Sequence, residues 1–268
     1  MPREPLHDRV ATSAREWSVD VDSVEETETS FVVFGSRRGQ PVVLKVQKKE
    51  SDEWQAGRIL EAFEGRGVAR VYEYRDGAVL LERLRPGTRL RELVVKGKDE
   101  EATDILAEVI AKMTPRSAAA VTVLDLARSF EGHHPLPGKL VERARETYVE
   151  LCRTQTNPRL LHGDLHHENV LFDSARGWVA IDPKGVIGEL EYELGAALRN
   201  PYERPDIFTQ PRVIERRLKR FAAKLPIDEA RALRWGFAQA VLSEIWGIED
   251  GAATYSTALA EAMLEMID

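Results

Sequence analysis

The sequence holds one cysteine, Cys152, so no disulfide can form within the chain. The natural setting for such a chain is a reducing one, the cytoplasm. No apolar run is long enough to span a membrane, so no membrane partner is expected. The opening segment MPREPLHDRVATSAREW has mixed charge and lacks the apolar stretch of a signal peptide. Positive charge is not in excess: 38 Lys and Arg stand against 45 Asp and Glu, a net charge of -7. That balance argues against general nucleic-acid binding. It is compatible with a cationic small-molecule acceptor, although an acidic surface also serves solubility. Internal repeats and low-complexity stretches are absent. The remaining composition is that of an ordinary globular protein, and 268 residues suffice for one large domain or two lobes.

The chain divides by pattern. Residues 4–17 carry Leu6, Val10, Ala14 and Trp17 at helical spacing. A strand and polar turn are expected over 19–29, then a strand at Phe31–Phe34, a turn over Gly35–Gly39 and a return strand at Pro41–Val46. Ser51 or Asp52 opens a helix holding Trp54, Ile59, Leu60 and Phe63. A hairpin follows, Val68–Tyr74 and Ala78–Leu84, and Pro86-Gly87 breaks the chain. Helical periodicity then prevails over 99–113, 123–130, 140–151, 190–198, 213–225, 230–248 and 255–266. The order predicts an α+β, bilobal protein: a β-rich lobe over 1–84 and a mainly helical lobe over 85–268, with polar chemistry between them.

That chemistry lies in Leu160–Gly185, LLHGDLHHENVLFDSARGWVAIDPKG. It reads as an apolar approach, a polar loop and two short strands. Asp164 is followed by Asn169, and a hairpin returns the chain to Asp182. This spacing matches the constellation of kinase-type phosphoryl-transfer enzymes. A carboxylate at Asp164 can orient a hydroxyl nucleophile and take its proton. An amide oxygen at Asn169 and a carboxylate at Asp182 suit magnesium, a hard cation that prefers oxygen ligands. Lys45, inside the apolar strand VVLKV, is suited to nucleotide phosphates, with Glu53 on the following helix preferred over Glu61 to orient it.

VVLKV, LLERLRPGT, HGDLHHENVL and IDPKG, with Tyr192 and Arg199-Asn200-Pro201, together resemble the aminoglycoside phosphotransferase family, nearest its streptomycin and hydroxyurea kinase branch. The resemblance implies a protein-kinase-like fold, ATP as donor, Mg2+, and a small-molecule hydroxyl acceptor of aminoglycoside type. By position it makes Asp164 the catalytic base, Asn169 and Asp182 the metal ligands, and Lys45 the phosphate-binding lysine. Glu82-Arg83-Leu84 becomes the hinge, whose backbone meets the adenine edge. A kinase for a sugar, amine or amino-alcohol metabolite, or a nucleotide-binding pseudokinase, would share these features. Two departures stand out. The turn Glu26–Ser30 has no glycine where a glycine-rich loop is expected, and Pro183 replaces an aromatic residue, so no aromatic-flip switch is expected.

His162, His166 and His167 are read as loop-holding residues rather than metal ligands, because no Cys/His spacing elsewhere supports zinc. Lys184 could meet the transferred phosphate or pair with a nearby acid. Trp235 and Trp246 are expected in the core. For a polycationic acceptor the candidate carboxylates are Glu189, Glu191, Glu244, Glu249 and Asp250.

Overall fold

The computed structural model describes residues 6–50, 52–251 and 255–268. Helix α1 (Leu6–Glu16) leads into β1 (Asp20–Glu26), β2 (Ser30–Arg37) and β3 (Gln40–Gln47). A 3₁₀ turn (Asp52–Gln55) enters α2 (Ala56–Ala62), and the hairpin β4 (Val71–Arg75) and β5 (Ala78–Glu82) follows. The five strands form one antiparallel sheet in the order β1-β2-β3-β5-β4. Positions 4, 5 and 51 of the expected helices lie outside the described residues.

Alternation along β3 explains where Lys45 points. Val42, Leu44 and Val46 are buried with Val10 and Ala14 of α1 and Trp17 just after it in one apolar cluster. With a period of two, Lys45 faces the opposite side of the sheet. There its cross-strand partner Val79 belongs to the second, larger core with Ile59, Leu60 and Phe63. The turn between β2 and β3 is tighter than expected. Gly35, Ser36 and Arg37 continue the strand, and only Arg38-Gly39, both with positive φ, make the bend. Such a two-residue turn matches the twist of the strands it joins.

The chain continues through β6 (Pro86–Arg89), α3 (Arg91–Val95), α4 (Asp99–Lys112), β7 (Val121–Thr122) and α5 (Val123–Leu126), which runs into a 3₁₀ turn at Ala127–Phe130. Next come α6 (Gly138–Arg153), β8 (Arg159–Leu161), β9 (Val170–Asp173), β10 (Gly177–Ala180) and β11 (Val186–Gly188). Helices α7 (Leu190–Leu198), α8 (Pro205–Phe208), α9 (Pro211–Lys224), α10 (Glu229–Glu249) and α11 (Ser256–Ile267) complete it. The bilobal α+β expectation holds. Pro86-Gly87 does not break the chain: it opens β6, which pairs with β9 at the edge of a three-stranded sheet, where the missing proline N–H is harmless. Helix α10 is the centre of the second half, packed against α6, α7 and α11.

Arg217 of α9 is nearly wholly buried and fully engaged. It pairs with Asp99 at 2.5 Å and donates to the carbonyls of Ala197, Leu198 and Asn200. It thus braces α4 against α9 and holds the carbonyl end of α7. Removing it leaves three carbonyls without their donor and Asp99 with only the partly exposed Arg216, 2.8 Å away, and breaking a buried pair costs about 3–5 kcal/mol. Arg217→Met should therefore lower unfolding stability by about that much in urea titrations. A loss below about 1 kcal/mol would show that the brace is idle.

Candidate active site

The loop between β8 and β9 is shaped by backbone hydrogen bonds to one buried acid. Glu193, on α7, accepts the amides of His162 at 2.8 Å and Gly163 at 3.0 Å. Burial pushes its carboxyl up to about 7, against the two amides that favour the charged form. His162 is fully buried, and burial pushes it down to about 4, so it is neutral. Its Nε2 donates to the Ile181 carbonyl at 2.8 Å, and its Nδ1 accepts the Asp164 amide at 3.3 Å. One imidazole therefore joins Asp164 to the strand that precedes Asp182. Gly163 has φ +80, and a Cβ there would come within 2.7 Å of Val186, so the loop needs glycine at that point.

Asp164 sits beside two cations and an imidazole, His166, whose own hold on a proton burial weakens. Lys184 Nζ lies 3.5 Å from Oδ2, Arg199 Nη2 3.6 Å from Oδ1 and His166 Nε2 3.8 Å from Oδ2. Burial alone would raise its carboxyl. Lys184, His166 and Arg199 outweigh that and hold it well below the usual carboxylate range. Lys184 thus pairs with the nearby acid, one of the two alternatives left open by the sequence. Its neighbour Gly185, at φ +78, would carry a Cβ 2.6 Å from Ile59, so this glycine lets α2 approach the loop.

Asp182 adopts φ +55, a left-handed conformation that aspartate tolerates better than most residues. Its Oδ1 lies 2.9 Å from Lys45 Nζ. The Ile181 amide bonds the Asn169 carbonyl at 2.8 Å, which brings Asn169 beside the same strand. Asn169 donates Nδ2 to the Asp164 carbonyl at 3.0 Å, leaving its Oδ1 without a protein partner among the described residues. The sequence-expected Lys45, Asp164, Asn169 and Asp182 therefore gather at one place. Glu53 lies in the 3₁₀ turn before α2, and its side chain is outside the described residues. Among the described residues no group of three or more His, Cys, Asp and Glu side chains could hold a metal ion. His166 bonds within the loop, while His167 is buried with neither ring nitrogen partnered among the described residues.

At the hinge, the amides of Glu82, Arg83 and Arg85 are taken by Arg70, Pro41 and Asp173. That of Leu84 has no acceptor among the described residues. The Glu82 side chain is structural: it accepts the Arg70 amide and pairs with Arg176. The glycine-free turn after β1 is closed by Thr27, whose Oγ1 bonds the Ser30 backbone on both its carbonyl and its amide.

Two adjoining cavities of about 500 and 570 Å³ share Lys184, Arg199, Trp246 and Asp250, and the second opens at Asp164. Of the five acids considered for a cationic acceptor, Glu249 and Asp250 line the first cavity. Glu189, Glu191 and Glu244 do not serve that purpose. Glu189 is fully buried between Arg231, Trp235 and the Thr156 amide, Glu191 accepts the Asp228 amide, and Glu244 accepts the Thr257 amide. Each satisfies a buried N–H, so spacing along a helix misled. Trp235 is in the core as expected, but Trp246 is half-buried and forms part of the cavity wall. Glu50 joins Glu249 and Asp250, and Gln239 and Arg199 were missed as site residues. A buried glutamate two turns from a charged loop carries no local sequence signal; neither does an arginine at a helix end.

Residues 16–251 match the family described as aminoglycoside/hydroxyurea antibiotic resistance kinase. Streptomycin 3''-kinase of Klebsiella pneumoniae is 34% identical over 233 residues, which is 84% of this chain and 86% of that protein. Streptomycin 6-kinase of Streptomyces glaucescens is 29% identical, over 92% of this chain and 85% of its own. A thermostable mutant of aminoglycoside phosphotransferase APH(4)-Ia, crystallised with ADP and hygromycin B, superposes with a TM-score of 0.65 at 13% identity, covering 95% and 97% of the two chains. At that identity the likeness concerns the fold.

Glu193 gives a pH signature. An unfolded glutamate releases its proton near 4.5, whereas the folded chain keeps it to about 7. Between those values the folded state binds the extra proton, so stability due to Glu193 falls as pH rises. Glu193→Gln cannot titrate. The stability difference, wild type minus variant, should drop by on the order of 2 kcal/mol from pH 4.5 to 7.5 in urea titrations. His162 titrates in both proteins and cancels. A flat difference would mean that Glu193 is already ionised.

Proposed function

Because this chain belongs to the aminoglycoside/hydroxyurea antibiotic resistance kinase family, it is a phosphotransferase, and we propose that it moves the γ-phosphoryl group of ATP to a hydroxyl of a streptomycin-type aminoglycoside. The observation that carries this reading is the meeting of Lys45, Asp164, Asn169 and Asp182, with Asp164 on the wall of a cavity of about 570 Å³, in a chain whose relatives include streptomycin kinases. Residues 1–84 serve as the nucleotide lobe and 85–268 as the catalytic and acceptor lobe. Its workplace in this reading is the cytoplasm, where ATP is at hand and the lone Cys152 thiol stays reduced.

The acceptor hydroxyl lies against Asp164. A carboxylate held so far on the acidic side is a weak base, so its first task is to orient the nucleophile. Its oxygen bonds the γ-phosphorus, the bond from that phosphorus to the oxygen retained by ADP breaks, and the hydroxyl proton passes to Asp164 as the new bond forms. Lys45 holds phosphate oxygens, oriented by Glu53. The Glu82 carbonyl and Leu84 amide face the adenine edge, a role supported by the spare Leu84 N–H. Asn169 and Asp182 would hold magnesium, which when bound neutralises charge on the nucleotide phosphates. Two oxygen donors with no imidazole or thiolate cluster suit that ion, which keeps phosphate and water ligands besides.

A cavity of this volume fits a drug-sized, multi-ring acceptor. Hydroxyurea would leave most of it empty. Glu50, Glu249 and Asp250 supply negative charge on the cleft wall for a guanidinium-bearing acceptor.

Incubation with ATP, magnesium and streptomycin should give singly phosphorylated streptomycin by mass spectrometry. Asp164→Asn should retain nucleotide binding and lose turnover by on the order of 10²–10⁴-fold. Transfer to hydroxyurea but not to streptomycin would sink the acceptor assignment, and near-normal turnover would remove Asp164 from the mechanism. Exposed acids act through salt-screened attraction. The pair Glu249→Gln and Asp250→Asn should therefore raise the KM for streptomycin and flatten its rise with ionic strength; an unchanged salt dependence would clear both residues of that role.

A further inference from the structure

Three arginines of the second half have guanidinium groups largely out of water, and their surroundings differ. Arg217 is saturated by Asp99 and three carbonyls. Arg176 is taken by Glu82 and the carbonyls of Gly65 and Val68. Arg199, with a side chain 14% exposed, has much weaker company. Its one hydrogen bond among the described residues is to Gln239 Oε1, at 3.4 Å. Its carboxylate neighbour, Asp164, stands 3.6 Å away, at ion-pair rather than hydrogen-bond distance. A guanidinium carries five N–H donors. Arg199 lines both cavities, and among the described residues most of its donors have no strong acceptor.

Its position is nevertheless firmly set. Arg199 caps the C-terminal end of α7, and Arg217 holds the carbonyls on either side of it, those of Leu198 and Asn200. Gln239 is fixed in turn by donating to the Tyr192 carbonyl at 2.6 Å and by packing on Gly195, where a Cβ would collide with it. A rigidly placed, largely desolvated cation with spare donors suits an anion that arrives during the reaction. An acceptor hydroxyl is neutral, and a guanidinium-bearing acceptor is repelled. The anion that comes to Asp164 is the phosphoryl group.

We infer, resting on the phosphotransfer reading above, that Arg199 is a catalytic residue: it binds the oxygens of the phosphoryl group as that group passes from ATP to the acceptor, an arginine finger supplied from within the chain. In the loose transition state, charge spreads over three equatorial oxygens, which the planar guanidinium fork can meet with two parallel hydrogen bonds. Lys184 stands on the other oxygen of Asp164 with a side chain 43% exposed, so water already screens it. Arg199 is the less hydrated and better oriented of the two. Its pairing with Asp164 then loosens as the phosphoryl arrives, freeing the carboxylate to take the hydroxyl proton.

The test is steady-state kinetics of wild type, Arg199→Ala and Arg199→Lys with ATP and streptomycin, with urea unfolding as a check on folding. The expected result is a loss in kcat on the order of 10³-fold or more for Arg199→Ala, with the KM values for ATP and streptomycin little changed. Arg199→Lys falls between. Guanidinium ion at sub-denaturing concentration should restore part of the Arg199→Ala rate while ammonium does not, a readout that a purely structural arginine would not give. Should Arg199→Ala not fold, Arg199→Lys carries the test: kcat lowered at unchanged KM supports the assignment, and a wild-type kcat overturns it. A rise in KM for streptomycin at unchanged kcat would also overturn it, by making Arg199 an acceptor contact. Wild-type protein that phosphorylates hydroxyurea and not streptomycin defeats the acceptor reading alone, and the same variants then give the answer on hydroxyurea; wild-type activity on either acceptor with indifferent variants defeats this inference alone.

Discussion

Taking a carboxylate out of water costs several kcal/mol unless charge or donors stand beside it. Asp164 is in that position, and the second half of the chain is arranged to meet the cost. Lys184 arrives from the loop before β11, Arg199 from the end of α7 and His166 from the loop itself. Each must be held in turn. Arg199 depends on α7, whose end depends on Arg217, which depends on Asp99 at the start of α4. The loop depends on Glu193, also on α7. Helix α7 therefore carries both the brace of the loop and one of its counter-charges, which accounts for its burial along its whole length.

Local chemistry was legible in the sequence. Lys45 within apolar VVLKV, and Asp164, Asn169 and Asp182 at their spacings, were singled out by residue type and order, and the fold brings them together. Long helices were legible too: α7 spans the expected 190–198, and α9, α10 and α11 begin and end within two residues of the periodic stretches. The two short strands expected after the polar loop are β9 and β10, but the shortest strands were not legible. β7 and β11 pair over two residues, and so little chain carries no periodicity. Pro86-Gly87 reads as a break by composition, yet the adjacent strand supplies partners that composition cannot foresee.

The acids show the limit most clearly. Glu189, Glu191, Glu244, Glu249 and Asp250 look alike on a helical wheel or in a loop. Their surroundings divide them: three answer buried N–H groups and two face the cleft. Net charge could not make that division, since it counts a structural carboxylate and a cleft carboxylate equally. Arg199 was noted with Asn200-Pro201 but given no role, for the related reason that its meaning lies in what its neighbours leave unused.

The loop after α2 exchanges hydrogen bonds with β10, Ala69 N–H to the Ala180 carbonyl and Ala180 N–H to the Gly67 carbonyl, each at 2.8 Å. Arg176 adds donations to the Gly65 and Val68 carbonyls. The end of α2 is thus stitched to the strand that leads to Asp182, although it lies between β3 and β4 in the chain. Lys45 on β3 and Asp182 therefore meet, with charged atoms 2.9 Å apart, across a seam already closed by backbone hydrogen bonds and not by their ion pair alone.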